Sequence, residues 1–173
     1  MIMPRAAEKL LLPANPWFIA FTLLAALLID MVPMGRLPAM PDVLAVVLVF
    51  WGVHQPRRVG VLWAFAFGLL IDVHDGAVLG QHALAYSALS FGAISLHRRL
   101  AWFSLTGQAV QILPLFMAAH ALTLIVRMAV GGMWPGWSLL LAPVFEAALW
   151  PVASVLLLAP QRRAPDPDAH RPL

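Results

Sequence analysis

Four side chains that could ligate a divalent metal fall close together in the middle of the chain. They are Asp72, His74, Asp75 and His82, and carboxylate oxygens and imidazole nitrogens are common metal ligands. The same stretch also fits a tight turn between two helices, in which Asp75 caps the following helix and Gly76 takes a positive φ angle. We favour the turn, and we expect no metal and no other cofactor.

A fragment of an enzyme motif begins at the same aspartate. The segment from Asp72 to Gly76 copies the opening of the carboxylate pattern found in CDP-alcohol phosphotransferases, but Leu79 and Gly80 stand where that pattern needs alanine and arginine. The chain also has no Walker-type phosphate loop and no serine in a Gly-x-Ser-x-Gly frame. We therefore predict that the protein is not an enzyme and has no catalytic residue.

A second set of polar residues lies inside long apolar segments of the C-terminal half. Such residues often mark a function, because a charge in the middle of a bilayer is costly unless it is paired. One interpretation is a substrate or proton path of a transporter, and the other, which we favour, is a buried hydrogen-bonded set that fixes helix packing. The set consists of Gln108, Gln111, His120, Arg127 and Glu146.

Two of these residues are predicted to form a buried pair. His120 precedes the turn at Gly131 by 11 residues, and Glu146 follows Trp137 by 9 residues. At ~1.5 Å per helical residue, both side chains lie ~14 to ~16 Å from the same membrane surface. We expect His120 and Glu146 to face each other and to hold two helices together.

Composition identifies the elements that must position these residues. The 173-residue chain is 62% hydrophobic and only 11% charged, with a mean hydropathy of +0.85, which indicates an all-α integral membrane protein. The net charge of +3 is carried by basic pairs at turns, so no nucleic-acid partner is expected. The absence of cysteine excludes disulfides and thiol chemistry.

About six transmembrane helices are predicted, packed in one compact bundle. This single domain covers residues 1–160, and a disordered cytoplasmic tail covers residues 161–173. The second helix is short, so it must be shielded by neighbours or lie where the bilayer is thinned. No convincing internal repeat is found. The first two predicted helices span about Pro16 to Met34 and Asp42 to His54 or Gln55. After a basic turn at Arg57 and Arg58, the third runs to Asp72. The last three span about Leu79 to Leu96, Phe103 to Val130 and Trp137 to Ala159.

Lysine and arginine predict the orientation of the bundle. Nine of the eleven basic residues fall on one side of the predicted helices, and only Arg36 and Arg127 fall on the other. The positive-inside rule places the nine-residue side in the cytoplasm. Both termini are therefore expected to be cytoplasmic, and the loops that carry Asp30, Asp42, Asp72 and Asp75 to face outward.

The region from the second to the fourth helix contains short motifs in a specific order. They are a Pro-Asp helix start, an aromatic-Trp pair, a Pro-Arg-like turn, a Gly-Leu-Leu-x-Asp segment and a following Leu-Gly pair. The residues concerned are Pro41, Asp42, Phe50, Trp51, Pro56, Arg57, Gly68, Leu69, Leu70, Asp72, Gly76, Leu79 and Gly80, and the last helix adds Leu149, Trp150 and Pro151. In this order the motifs resemble those of the MreD family of bacterial rod shape-determining proteins.

The resemblance implies a non-enzymatic scaffold in the complex that elongates the lateral cell wall. Its expected partners are an MreC-like bitopic protein, a RodA-like glycosyltransferase with its penicillin-binding transpeptidase, MreB-like filaments and membrane lipid. The expected location is the bacterial inner membrane. The family's fold is similar to the S components of vitamin transporters, so the alternative function is a small-molecule-binding membrane subunit.

Overall fold

Six α-helices form the part of the chain that the structure describes. The computed structural model describes residues 14–32 and 40–161. In those ranges one 3-10 segment, Trp137–Leu141, precedes the last helix, and another, Ala159–Gln161, follows it. The helices are α1 (Pro16–Asp30), α2 (Val43–His54), α3 (Val61–Asp75), α4 (Gln81–Leu100), α5 (Leu105–Ala129) and α6 (Ala142–Leu158).

Polar residues begin three of the helices. Asn15 and Ser104 each accept a hydrogen bond from an amide in the first turn of α1 and α5, and Asp42 does so for α2. Pro16 follows Asn15 at a position where a helix has no amide bond to lose. The helix starts are therefore encoded locally, because these side chains replace the intrahelical partners that the first amides lack.

Four helices form a closed ring and two lie outside it. Within the ring, α2 packs on α4, α4 on α5, α5 on α6, and α6 on α2. Outside it, α1 packs mainly on α2, and α3 packs mainly on α4. Because α1, α3 and α5 end where α2, α4 and α6 begin, the bundle has an acidic end near Asp30, Asp42 and Asp72 and a basic end near Arg58 and Arg98.

The short helix α2 lies at the centre of the core. Its twelve residues span only ~18 Å at the usual helical rise, and the nine from Leu44 to Gly52 are all buried. Trp51 is fully buried, and its indole Nε1 donates to Thr22 Oγ1 of α1 at 2.9 Å. Shielding by neighbouring helices, the first of the two expected explanations for its length, is thus confirmed.

Several predicted boundaries were wrong. The helix α3 continues to Asp75, one turn beyond the predicted end at Asp72, and it begins at Val61. Pro56 therefore lies in the turn before α3 and not in its first helical turn. The helix α1 ends at Asp30, while the predicted end at Met34 lies outside the described residues. A proline or a charge marks a boundary only within a few residues, because tertiary contacts decide where the helix ends.

The chain has the composition and surface of a membrane protein. Two helical segments in the described ranges, Leu105–Ala129 and Trp137–Gln161, are long and apolar enough to cross a membrane, and Pro16–Asp30 and Val43–His54 are apolar but shorter. The outer face of α1 exposes large apolar side chains, among them Trp17 and Phe21. Residues 162–173, most of the predicted tail, lie outside the described residues, and Gln161 is buried at the end of the last 3-10 segment.

Candidate functional site: a buried polar network at the acidic end

Asp72 closes the turn between α3 and α4. Its side chain is buried, and its two oxygens accept hydrogen bonds from the amides of Gly80 at 2.8 Å, His82 at 2.8 Å and Ala83 at 3.3 Å. His82 Nδ1 lies 2.8 Å from Asp72 Oδ1. One carboxylate thus satisfies the first amides of α4, which have no partner within their own helix.

The prediction that Asp75 caps the fourth helix was wrong. Asp75 is the last residue of α3, and its side chain is exposed. Gly76 then ends α3 in the left-handed conformation, with φ at 60°, so the positive φ predicted for Gly76 is confirmed. The cap comes from Asp72 because the Asp72 side chain is buried and directed toward α4, whereas the Asp75 side chain lies on the exposed face of α3.

Glycines allow α3 and α4 to approach closely beside this cap. A Cβ atom on Gly68 would lie only 2.4 Å from Ala83 Cα and 2.5 Å from Ala83 N. Gly80, just before α4, has φ at 99°, which only glycine adopts readily. Gly68, Asp72, Gly76 and Gly80 therefore cooperate in one structural element, the α3–α4 hairpin.

The proposed metal ligands are only partly brought together. Asp72 and His82 are in contact, but His74 and Asp75 are exposed and take no part in that contact. Across residues 14–32 and 40–161, no group of three or more histidine or acidic side chains is arranged to hold a metal ion. The oxygens of Asp72 are directed at backbone amides, which is the arrangement of a helix cap.

Asp30 performs the same task for α2, and the sequence analysis did not single it out for this role. Its Oδ1 accepts from the amide of Val43 at 3.1 Å, and its Oδ2 accepts from the amide of Leu44 at 2.6 Å. A signal was present, because residues 27–30 and 69–72 both read Leu-Leu-Ile-Asp. This short repeat marks two helical hairpins in which an aspartate of one helix caps the next.

Asp42 joins α2 to two other helices. Its Oδ1 caps α2 by accepting from Ala45 N at 2.7 Å, and its Oδ2 accepts from the hydroxyl of Tyr86 in α4. The Asp42 amide donates to Glu146 Oε1 in α6 at 3.1 Å. The Pro-Asp start thus links three helices, and it does so with Tyr86, a residue that the sequence analysis missed although it is the only tyrosine in the chain.

His120 and Glu146 meet inside the bundle. His120 Nε2 lies 2.7 Å from Glu146 Oε1, and the Glu146 side chain is completely buried. Within residues 14–32 and 40–161, Glu146 Oε2 has no hydrogen-bond partner. Together with Asp42 and Tyr86, these residues form a polar network that connects all four helices of the ring.

The other polar residues of α5 lie apart from this network. Gln108 Oε1 accepts from Trp150 Nε1 at 3.1 Å near the basic end, and Arg127 is exposed. Of the five polar residues considered for a transport path, the structure brings only His120 and Glu146 together. The remaining motif residues are structural neighbours of the helix ends: Pro41 precedes the cap at Asp42, and Pro56 lies in the turn between α2 and α3.

The contact between His120 and Glu146 predicts strong energetic coupling. We expect His120→Gln and Glu146→Gln each to lower stability by about 1 to 3 kcal/mol, because each leaves a buried polar partner poorly satisfied. The double variant should cost clearly less than the sum of the single effects. Unfolding in mixed micelles measures all three, and simple additivity would show that the two residues do not interact. Gln111→Leu, on the same helix, is the control and should not couple to Glu146→Gln.

Comparison with known proteins agrees with the family motifs. A family model described as "rod shape-determining protein MreD" matches residues 13–159. A curated relative, the "Rod shape-determining protein MreD" of Haemophilus influenzae, is 26% identical over 131 residues, which are 76% of this chain and 81% of the relative. No solved structure matches the chain.

Proposed function

Since the chain belongs to the MreD family of rod shape-determining proteins, we propose that it acts as a non-enzymatic membrane scaffold of the cell-wall elongation complex. Its role in rod-shape determination follows from the family. The scaffold role, the S-component-like fold and the individual partners go further and are proposals. The observation that carries the scaffold role is the family match, which extends over almost the entire helical bundle.

The chemistry of the polar network supports a structural role. Asp30, Asp42 and Asp72 each direct carboxylate oxygens at backbone amides of a helix start. His120 and Glu146 link α5 to α6, and none of these contacts requires a substrate. Such a network fixes the relative positions of the helices, and a rigid bundle of this kind is well suited to present its outer faces to other proteins.

The two helices outside the ring offer those faces. In α1, the exposed fractions of Trp17 and Phe21 are 82% and 67%, and in α3 those of Leu62 and Val73 are 80% and 71%. In a bilayer such faces contact lipid or the helices of partners, because both are apolar. We propose that they bind the MreC-like protein and the RodA-like glycosyltransferase with its transpeptidase.

Affinity purification from gently solubilised membranes tests this proposal. The tagged protein should recover MreC-like and RodA-like proteins, while a tagged unrelated membrane protein of similar abundance should not. Two surface variants locate the contacts: Phe21→Ala with Leu24→Ala on α1, and Leu70→Ala with Val73→Ala on α3. A folded wild-type protein that recovers neither partner would contradict the scaffold role.

The orientation of the bundle is part of the same proposal. We place the basic end, with Arg58 and Arg98, in the cytoplasm of an inner-membrane protein with six spans, since basic residues favour that side. MreB-like filaments would then be within reach of the basic end. A reporter that is active only in the periplasm should be silent when fused after Arg163 and active when inserted after Asp75; the reverse pattern would contradict this orientation.

A further inference from the structure

Two neighbouring chambers open inside the acidic end of the bundle. The inner chamber, of about 50 Å³, lies between the ring helices and is lined by Glu146, His120 and Thr123. The outer chamber, of about 210 Å³, lies nearer the helix ends and is lined by Asp30, Asp75 and several apolar side chains. Asp42, His82 and Tyr86 line both chambers. The two chambers are therefore adjacent, with these three side chains between them.

The chambers carry an excess of acidic groups. Four carboxyl groups line them, from Asp30, Asp42, Asp75 and Glu146, against two imidazoles. Among the described lining residues there is no lysine and no arginine. In a surrounding of low dielectric constant, such a lining attracts cations and repels anions.

One carboxylate oxygen in the inner chamber lacks a donor. Glu146 Oε1 accepts from the Asp42 amide and contacts His120 Nε2, while Oε2 is buried and has no hydrogen-bond partner among the described residues. A buried oxygen of this kind costs free energy until a donor reaches it. The nearby hydroxyl of Tyr86 is already used, because it donates to Asp42. None of the described side chains supplies that donor, so a molecule in the chamber can do so.

We propose that the two chambers bind a small primary ammonium compound. The inner chamber has room for three or four water-sized groups, at roughly 10 to 15 Å³ each, and an ammonium group is of that size. Its three N–H donors can serve Glu146 Oε2 together with the Asp42 carboxylate and the Thr123 hydroxyl. The carbon chain of the ligand lies in the outer chamber, against apolar residues such as Ile29 and Ile71.

This proposal is independent of the scaffold role. An ammonium group fits better than a metal ion, because no described group of three or more ligands is arranged for a metal. The same chemistry has two sources, a free amine and the headgroup of an aminophospholipid. They can be distinguished, because only the lipid carries a phosphate beside the ammonium group.

Thermal unfolding of the purified protein tests the site. In a detergent without amino groups, n-butylammonium chloride should raise the melting temperature in a saturable manner, while sodium chloride at equal ionic strength and n-butanol should not. Glu146→Gln should weaken the apparent affinity for n-butylammonium about tenfold or more, since it removes a charged acceptor. Ala119→Val, which narrows the inner chamber from α5, should weaken it similarly, whereas Ala118→Val on the exposed side of α5 should not.

The possible results decide between specific alternatives. In one of them, the protein is more stable in phosphatidylethanolamine nanodiscs than in phosphatidylcholine nanodiscs and yet does not respond to n-butylammonium. If Ala119→Val also abolishes that difference between the two lipids, the result supports the ammonium site and identifies the lipid as the source of the ammonium group. Equal stabilisation by sodium chloride, no stabilisation by either amine, or unchanged affinity in the variants would each overturn the proposal. If Glu146→Gln does not fold, Ala119→Val and Ala118→Val still decide.

Discussion

Replacing Gly68 by alanine is expected to destabilise the protein by about 3 kcal/mol, near the upper end of the range for overpacking substitutions. The added Cβ would lie 2.4 Å from Ala83 Cα and 2.7 Å from the carbonyl carbon of His82. Both neighbours are backbone atoms at the start of α4, so they cannot rotate away. The helices must separate, and this would also pull the Ala83 amide from Asp72.

Gly92→Ala provides the matched control for Gly68→Ala. Like Gly68 in α3, Gly92 lies inside a helix, in this case α4, and an added Cβ there would meet the Leu115 side chain, with Cδ1 at 2.2 Å. A leucine methyl group can change rotamer, and alanine favours a helix over glycine by about 1 kcal/mol, so the net cost should be small. Unfolding in mixed micelles compares the two variants. If both variants lost the same stability, the close approach of the α3 and α4 backbones would not be the reason why position 68 requires glycine.

Replacing Asp72 by alanine is expected to cost about 3 to 5 kcal/mol, because several donors lose their partner at once. The amides of Gly80, His82 and Ala83 all donate to this carboxylate, as His82 does through its imidazole. We expect the start of α4 to fray, and hydrogen exchange of its first amides should accelerate together with the loss in stability.

Asp75→Ala is the control for Asp72→Ala. It removes the same group three residues later, from an exposed position at the C-terminal end of α3. A negative charge at a helix C-terminus is slightly unfavourable, so its removal should be neutral or weakly stabilising. If Asp72→Ala and Asp75→Ala lost the same stability, the effect would come from removing a negative charge at the end of α3. The loss of the helix cap would then not be its cause.

Asp72→Asn separates the hydrogen bonds from the charge. Asparagine keeps one oxygen that can accept from the first amides of α4, but its NH₂ group faces donors at the other position. An intermediate loss is therefore expected. The alternative result is that Asp72→Asn loses as much stability as Asp72→Ala, with equally fast hydrogen exchange of the first amides of α4. That result would mean that both carboxylate oxygens are needed, because the Gly80 amide donates to Oδ2 and the His82 amide donates to Oδ1.

The sequence by itself determined the class of the protein and the approximate positions of its helices, but not their exact ends. Long apolar segments and few charges leave helices in a bilayer as the stable solution, because backbone groups must be satisfied within each segment. The motif from Pro41 to Gly80 indicated the family, and helical rise alone put His120 and Glu146 at one height. These features depend on local pattern and periodicity, which a sequence displays directly.

Only the tertiary structure decided which side chains share the network. The capping of α2 by Asp30 and of α4 by Asp72 depends on how each hairpin folds back, so Asp75 was the wrong choice for the cap although it lies closer to α4 in sequence. Tyr86 joined the network for the same reason, since its hydroxyl reaches Asp42 only when α4 packs on α2. Helix rotation and the choice of neighbours arise from side-chain packing between distant segments, and no local pattern contains that information.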